Sequence, residues 1–112
     1  MANAALAAWG VKFLQTLGAL RSNYRIANNH GNENSRIAFK ENREIKSGIV
    51  TLRTQLIQIL TSSSLDPGQV GAILSALDNI IKGLIAASPP LQQGPFIDQL
   101  QQWYDKFIKP LI

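Results

Sequence analysis

Cysteine is absent from this 112-residue chain, so neither a disulfide framework nor a thiolate metal site can form. Histidine occurs once, as His30, between Asn29 and Gly31 and away from any pair of carboxylates. A metal ion needs several convergent ligands, and none stand at usable spacing, so neither a metal nor another cofactor is expected. The eight glycines are scattered rather than gathered into a phosphate-binding loop. Ser62-Ser63-Ser64 has no base beside it and reads as a linker, not as a source of nucleophiles. Glu41 and Glu44 lie three apart, but in a charged, exposed stretch that suits a solvated face better than an acid–base pair. With these devices missing, the chain is expected not to be an enzyme.

Long hydrophobic runs are missing as well. No stretch of about 18 uncharged apolar residues occurs, so no transmembrane helix is expected. The first apolar stretch is broken by Lys12 and Gln15 and does not read as a secretory signal. There is no Asn-x-Ser/Thr sequon. These features lead to the expectation of a cytoplasmic protein, or one inside an intracellularly assembled complex.

Acidic residues are few, and they are unevenly placed. Eight of the eleven basic residues fall before position 54, against three acids there; the remainder carries three lysines against four aspartates. The net charge of +4 permits an anionic partner without requiring one.

What the chain has in quantity is apolar side chains, 46% of the total, enough to bury a core. At this length they are expected to form one domain over residues 1–112. Four segments carry helical periodicity. The first spans residues 3–27, with Leu6, Phe13, Leu17, Leu20 and Tyr24 on one stripe. A polar run, Asn28 to Asn34, reads as a loop, with Asn34 or Ser35 as cap of a second helix over 35–62. Ala38, Ile45, Ile49, Leu52, Leu56 and Ile59 form its stripe, and Gly48 in its middle points to a bend or to close packing. The only strand-like run, Ile49 to Leu52, lies inside this helical pattern.

Asp66-Pro67-Gly68-Gln69 starts a third helix over 66–87. Asp66 suits the N-cap, Pro67 the first turn and Gln69 a capping-box variant, with Leu65 and Val70 as a hydrophobic staple. This helix is apolar around most of its circumference. Ser88-Pro89-Pro90 ends it. Gly94-Pro95 opens a fourth helix over 95–110, with Phe96, Leu100, Trp103, Phe107 and Leu111 as its stripe, widened by Ile97, Tyr104 and Ile108. Short connections and four amphipathic segments predict an all-α, antiparallel four-helix bundle with unequal helix lengths. The longer first two helices are expected to project, and the projecting end is the basic one.

Two candidate surfaces follow. A hairpin of the first two helices would bring Arg21 and Arg25 near Arg36, Lys40 and Arg43, with His30 at the tip and Tyr24 and Phe39 close by. Such a group can neutralise phosphates or meet an acidic protein. Glu33, Glu41 and Glu44 blunt its field, and no sequence-reading motif accompanies it. The second candidate is the wide apolar face of the last two helices, with Trp9, Leu74, Ile81, Trp103 and Tyr104 as interface residues; core placement of both tryptophans is the competing reading. The function expected is a non-catalytic helical interaction module, a structural or adaptor subunit with a protein partner or self-association. The alternatives are a nonspecific nucleic-acid-binding subunit and, last, a membrane-surface bundle, since only Lys82 would serve the polar face of the third helix.

Overall fold

A computed structural model describes the backbone of residues 2–29, 32–87 and 93–112, and the side chains of residues 4–26, 39–87 and 93–112. The chain is all-α, with four helices of unequal length whose sequential neighbours pack antiparallel into a bundle. They are α1 (Ala2–Asn29), α2 (Asn32–Thr61), α3 (Pro67–Ala86) and α4 (Gly94–Trp103), with α4 continuing through a π-helical turn, Tyr104–Ile108, and a 3-10 turn, Lys109–Leu111. The strongest packing is α1 on α2; α2 also packs on α3, α3 on α4 and α4 back on α1.

At 1.5 Å per residue α1 and α2 are about 42 and 45 Å long, against about 30 Å for α3. The long axis of the molecule, 49 Å, is therefore set by the first hairpin. Hydrogen bonds fix the height at which the second pair meets it. Asn42 on α2 joins Gln93, the residue before α4, and Gln93 joins Ala87 at the end of α3.

Periodicity places most of the core of α1 to α3. Leu6, Trp9, Phe13, Leu17 and Leu20 of α1 are buried, as are Ile49, Leu52, Leu56 and Leu60 of α2. Of the stripe expected on α2, Ile45 and Ile59 are half-buried and Ala38 lies outside the described side chains. On α3 the buried stripe is Val70, Ile73, Leu77, Ile81 and Leu84. On α4 the widened side of the expected stripe is the more buried one. Ile97, Leu100, Trp103, Tyr104 and Ile108 are buried, while Phe96, Phe107 and Leu111 pack at its margin. The helix ends in the π turn, in which the Lys109 N–H reaches back five residues to the Tyr104 carbonyl.

The helix ends differ from expectation at two places. The loop foreseen over residues 28–34 is shorter, because α1 reaches Asn29 and α2 begins at Asn32. Asn34 and Ser35 lie inside α2 and do not precede it. Propensity differences of less than about 1 kcal/mol per residue are too small to fix such an end. Asp66 does hold the N-cap position with extended backbone, and Pro67 opens α3. The capping box does not form: Asp66 makes no side-chain cap bond, and the Val70 N–H closes the first turn on the Asp66 carbonyl at 3.0 Å.

Side-chain to backbone bonds from Trp9 and Trp103 lock the pairs together. The Trp9 indole N–H donates to the Leu52 carbonyl at 2.8 Å, tying α1 to α2. That of Trp103 donates to the Ile73 carbonyl at 3.0 Å, tying α4 to α3. Phe13 sits between them, with ring centroids 5.0 Å from Trp9, 5.5 Å from Trp103 and 5.6 Å from Tyr104. Outside this core, Arg53 of α2 grips Asp78 of α3 with two guanidinium nitrogens. Both side chains are more than a third exposed or close to it, so this pair contributes at most about 1 kcal/mol.

The glycines divide by what surrounds them. At Gly83 a methyl group would overlap the Phe96 ring, so α3 and α4 approach closely there. At Gly48 nothing lies within 4 Å, and the close packing foreseen there is absent. Gly48→Ala is therefore expected to stabilise the protein by about 0.5–1 kcal/mol, from helix propensity alone. Gly83→Ala gains the same propensity but loses about 1–3 kcal/mol to overpacking. Urea denaturation should show the two substitutions moving the midpoint in opposite directions.

By length and composition α3 is apolar enough to cross a membrane, although it carries Asp78 and Lys82. The sequence reading, which asked for an uncharged run, did not count it. Here α3 packs its buried stripe into the bundle and pairs Asp78 with Arg53.

Candidate functional site

Beneath the basic end lies a buried cluster of three amides. Asn23 of α1, Asn42 of α2 and Gln93 are 1%, 1% and 0% exposed. The Asn42 Nδ2 group donates to Asn23 Oδ1 at 2.9 Å and to Gln93 Oε1 at 2.6 Å. Gln93 Nε2 donates to Asn42 Oδ1 at 3.0 Å and to the Ala87 carbonyl at 2.7 Å. Both donor hydrogens of Asn42 and both of Gln93 are thereby used, as burial of amides requires. The cluster fastens the junction of α3 and α4 to the first hairpin at one height. Its sequence signal is Asn42 itself, a polar residue on the apolar stripe between Ala38 and Ile45.

A groove of about 640 Å³ opens above this cluster, between α1 and the start of α4. Arg21, Tyr24 and Arg25 form the α1 wall; Gly94, Pro95, Ile97 and Asp98 form the other. The volume is within the range of about 300–1,000 Å³ common to ligand clefts. Tyr24 packs closely on Gly94, whose missing side chain admits the phenol ring: a Cβ there would lie 3.3 Å from its Cε2, Cζ and hydroxyl oxygen. Arg21 is half-buried and held in place, since its Nη2 donates to Gln101 Oε1 at 3.1 Å. Gln101 Nε2 in turn donates to Asp105 Oδ1 at 3.1 Å, which turns the Gln101 oxygen towards Arg21. Arg25, one turn on, is exposed. Among the described residues no carboxylate stands within ion-pairing distance of either arginine. The first free N–H groups of α4 are not available to a ligand, because those of Phe96 and Ile97 both bond to the Gln93 carbonyl.

The structure therefore brings Arg21 and Arg25 onto one surface. Lys40 and Arg43 stand at the same end, flanking Asn42, but are exposed on α2 and do not line the groove. Arg36, Glu33 and His30 lie outside the described side chains. Tyr24 is half-buried and packs against the core while its ring faces the groove. Phe39 is 41% exposed on α2.

The second set of candidates is placed differently. Trp9, Ile81, Trp103 and Tyr104 are all buried within the chain's own core, and Leu74 is half-buried at its edge. The large apolar side chains that do face solvent are others: Val11, Leu14, Ile26, Phe39, Val50, Ile85 and Ile112. They are spread over three helices and the C-terminus rather than gathered on α3 and α4. The signal for the tryptophans was their spacing: Trp9 lies three residues after Leu6 and four before Phe13, on the buried face.

One lysine is electrostatically distinctive. Burial lowers the Lys46 pKa below its ordinary value of 10.5. Its ammonium is disfavoured in the folded state, a penalty fully present at neutral pH, where both folded and unfolded chains are protonated. As pH rises through the lowered value towards 10.5 the folded chain sheds its proton first, so stability rises across that alkaline window. Lys46→Met is expected to raise the urea midpoint at pH 7 and to flatten the alkaline rise that ends near pH 10.5.

Among the described residues no three His, Asp or Glu side chains gather as a metal site. No protein-family model, curated protein or solved structure matches this chain.

Proposed function

We propose that this chain is a non-catalytic helical interaction module, a small structural or adaptor subunit that meets an anionic protein surface with its arginine-bearing end. The observation that carries this reading is the groove beside Arg21 and Arg25, where α1 meets the start of α4. A large concave surface whose guanidinium groups have no carboxylate partner among the described residues is a better contact than scattered exposed charge, because it desolvates the charges and aligns them.

A phosphate backbone is the competing partner, and the arrangement of charge disfavours it. Nucleic acid presents a repeating line of phosphates that calls for a continuous basic track. Here Asp98 lines the groove itself, while Glu41 and Glu44 alternate with Lys40 and Arg43 on α2. Fluorescence anisotropy with labelled single- and double-stranded oligonucleotides, with light scattering on the same sample, separates the two. The expected result is weak binding at low salt that vanishes at physiological salt. Binding that persists at physiological salt and weakens when Lys40 and Arg43 become alanine would give the nucleic-acid reading instead.

A further inference from the structure

We infer that the groove between α1 and α4 is a docking site for an acidic linear peptide that carries an apolar anchor residue, the anchor seating on Tyr24 and Pro95 and the acids on Arg21 and Arg25. This inference rests on the interaction-module reading and names the chemistry of its partner.

Three features of the groove select this ligand. The first is charge: its α1 wall bears two guanidinium groups with no carboxylate within ion-pairing distance among the described residues. A bidentate carboxylate is the natural complement of a planar guanidinium. The second is preorganisation. Arg21 is held by Gln101, which is held by Asp105, so binding loses less side-chain entropy than it would at a free arginine. Arg21 spends one nitrogen on Gln101 and keeps the rest of its fork for a ligand. The third is the mixed lining. Tyr24 and Pro95 supply an apolar surface between the charged walls, which a bare anion does not need and a peptide side chain fills.

Asp98 adds direction. Its exposed carboxylate stands on the α4 wall, opposite the arginines. A peptide acid is repelled there and favoured on the α1 side, so Asp98 sets which edge of the peptide faces which helix. The same carboxylate opposes a polyphosphate chain, whose charge is the same along both edges.

The test uses a phage-displayed library of random twelve-residue peptides selected against the full chain at physiological salt. The expected consensus holds two or more Asp or Glu residues around one aromatic or aliphatic residue. A synthetic peptide of that consensus is then measured by anisotropy. Arg25→Glu should weaken its binding about tenfold or more, the size expected for a charge-assisted contact turned repulsive. Asp98→Lys should tighten it about threefold or more, an effect that unfolding cannot imitate. Circular dichroism on both variants checks the fold.

A selection without acidic enrichment overturns the inference. So does an acidic peptide whose affinity ignores both substitutions. In that last case, loss of binding on changing Lys40 and Arg43 to alanine would leave the module reading intact and move the contact to α2. Tighter binding of a twenty-nucleotide oligothymidylate than of any selected peptide would contradict both readings.

Discussion

Asn42→Ala is expected to destabilise the protein by about 2–5 kcal/mol. The truncation leaves Asn23 Oδ1 and Gln93 Oε1 without the amide that donates to both, and takes from Gln93 Nε2 one of its two acceptors. All three partners are buried, so water does not take over without opening the junction. Each buried polar atom left unpaired costs about 1–3 kcal/mol. Gln93→Ala removes the opposite side of the same cluster. The double variant should therefore lose less than the sum of the single losses, by about 0.5–3 kcal/mol. Urea denaturation of the four proteins in the cycle measures this directly. Additive losses, or a single loss below about 0.5 kcal/mol, would mean that the amides are solvated and that the junction is not fastened as described.

The other large effect is expected at Trp103. Replacing it with Ala removes a 3%-exposed indole that abuts Trp9 and Phe13 and donates to the Ile73 carbonyl. Loss of a buried tryptophan costs about 3–5 kcal/mol, a large share of the roughly 5–15 kcal/mol that holds a domain of this size together. Trp103→Phe keeps most of the volume and drops the N–H, so it should lose about half as much or less. The outcome has a second use. From the sequence alone, Trp103 stands as a candidate for a partner surface, and a surface tryptophan behaves otherwise: its removal leaves stability within about 0.5 kcal/mol and disrupts only association. A stable, folded Trp103→Ala protein that fails to associate would return Trp103 to the interface.

The two predictions separate what was legible in the chain from what was not. Helix number, order and inward faces follow from spacing: Leu6, Phe13, Leu17 and Leu20 fall on one stripe of any α-helix. The unequal helix lengths followed too. The start of α3 at Pro67 was readable because proline and the residue before it restrict the backbone locally. The capping box was not, because a side-chain cap competes with solvent for less than about 1 kcal/mol or so and the sequence does not say which wins.

What escaped depends on residues far apart in the chain meeting. Arg21 and Gln101 are eighty positions apart, and nothing local marks them as partners. Asn23, Asn42 and Gln93 look individually like errors on an apolar pattern or residues of a loop; only their meeting makes them a satisfied cluster. The π turn at Tyr104–Ile108 escaped too, because a period fixed at 3.6 cannot express it. The groove is the plainest case. Its two walls come from α1 and α4, so the sequence could gather five basic residues at one end, but not divide Arg21 and Arg25 from Lys40 and Arg43. That division matters to the proposed function, because one held arginine, a second beside it and a facing carboxylate suit a selective site, whereas five pooled charges suit a general one.

The account's central claim is that the arginine-bearing end is where this chain meets its partner, and that the partner is a protein. Photo-crosslinking in the native cell tests it most directly. A benzophenone amino acid is placed in turn at Arg25 and at Phe39, both exposed at that end, and at Ser64, exposed in the connection between α2 and α3 at the opposite end. The account predicts one recurrent protein adduct from the first two positions and none from Ser64. Crosslinks to nucleic acid at Arg25 and Phe39, or the same protein adduct from Ser64 alone, would contradict it.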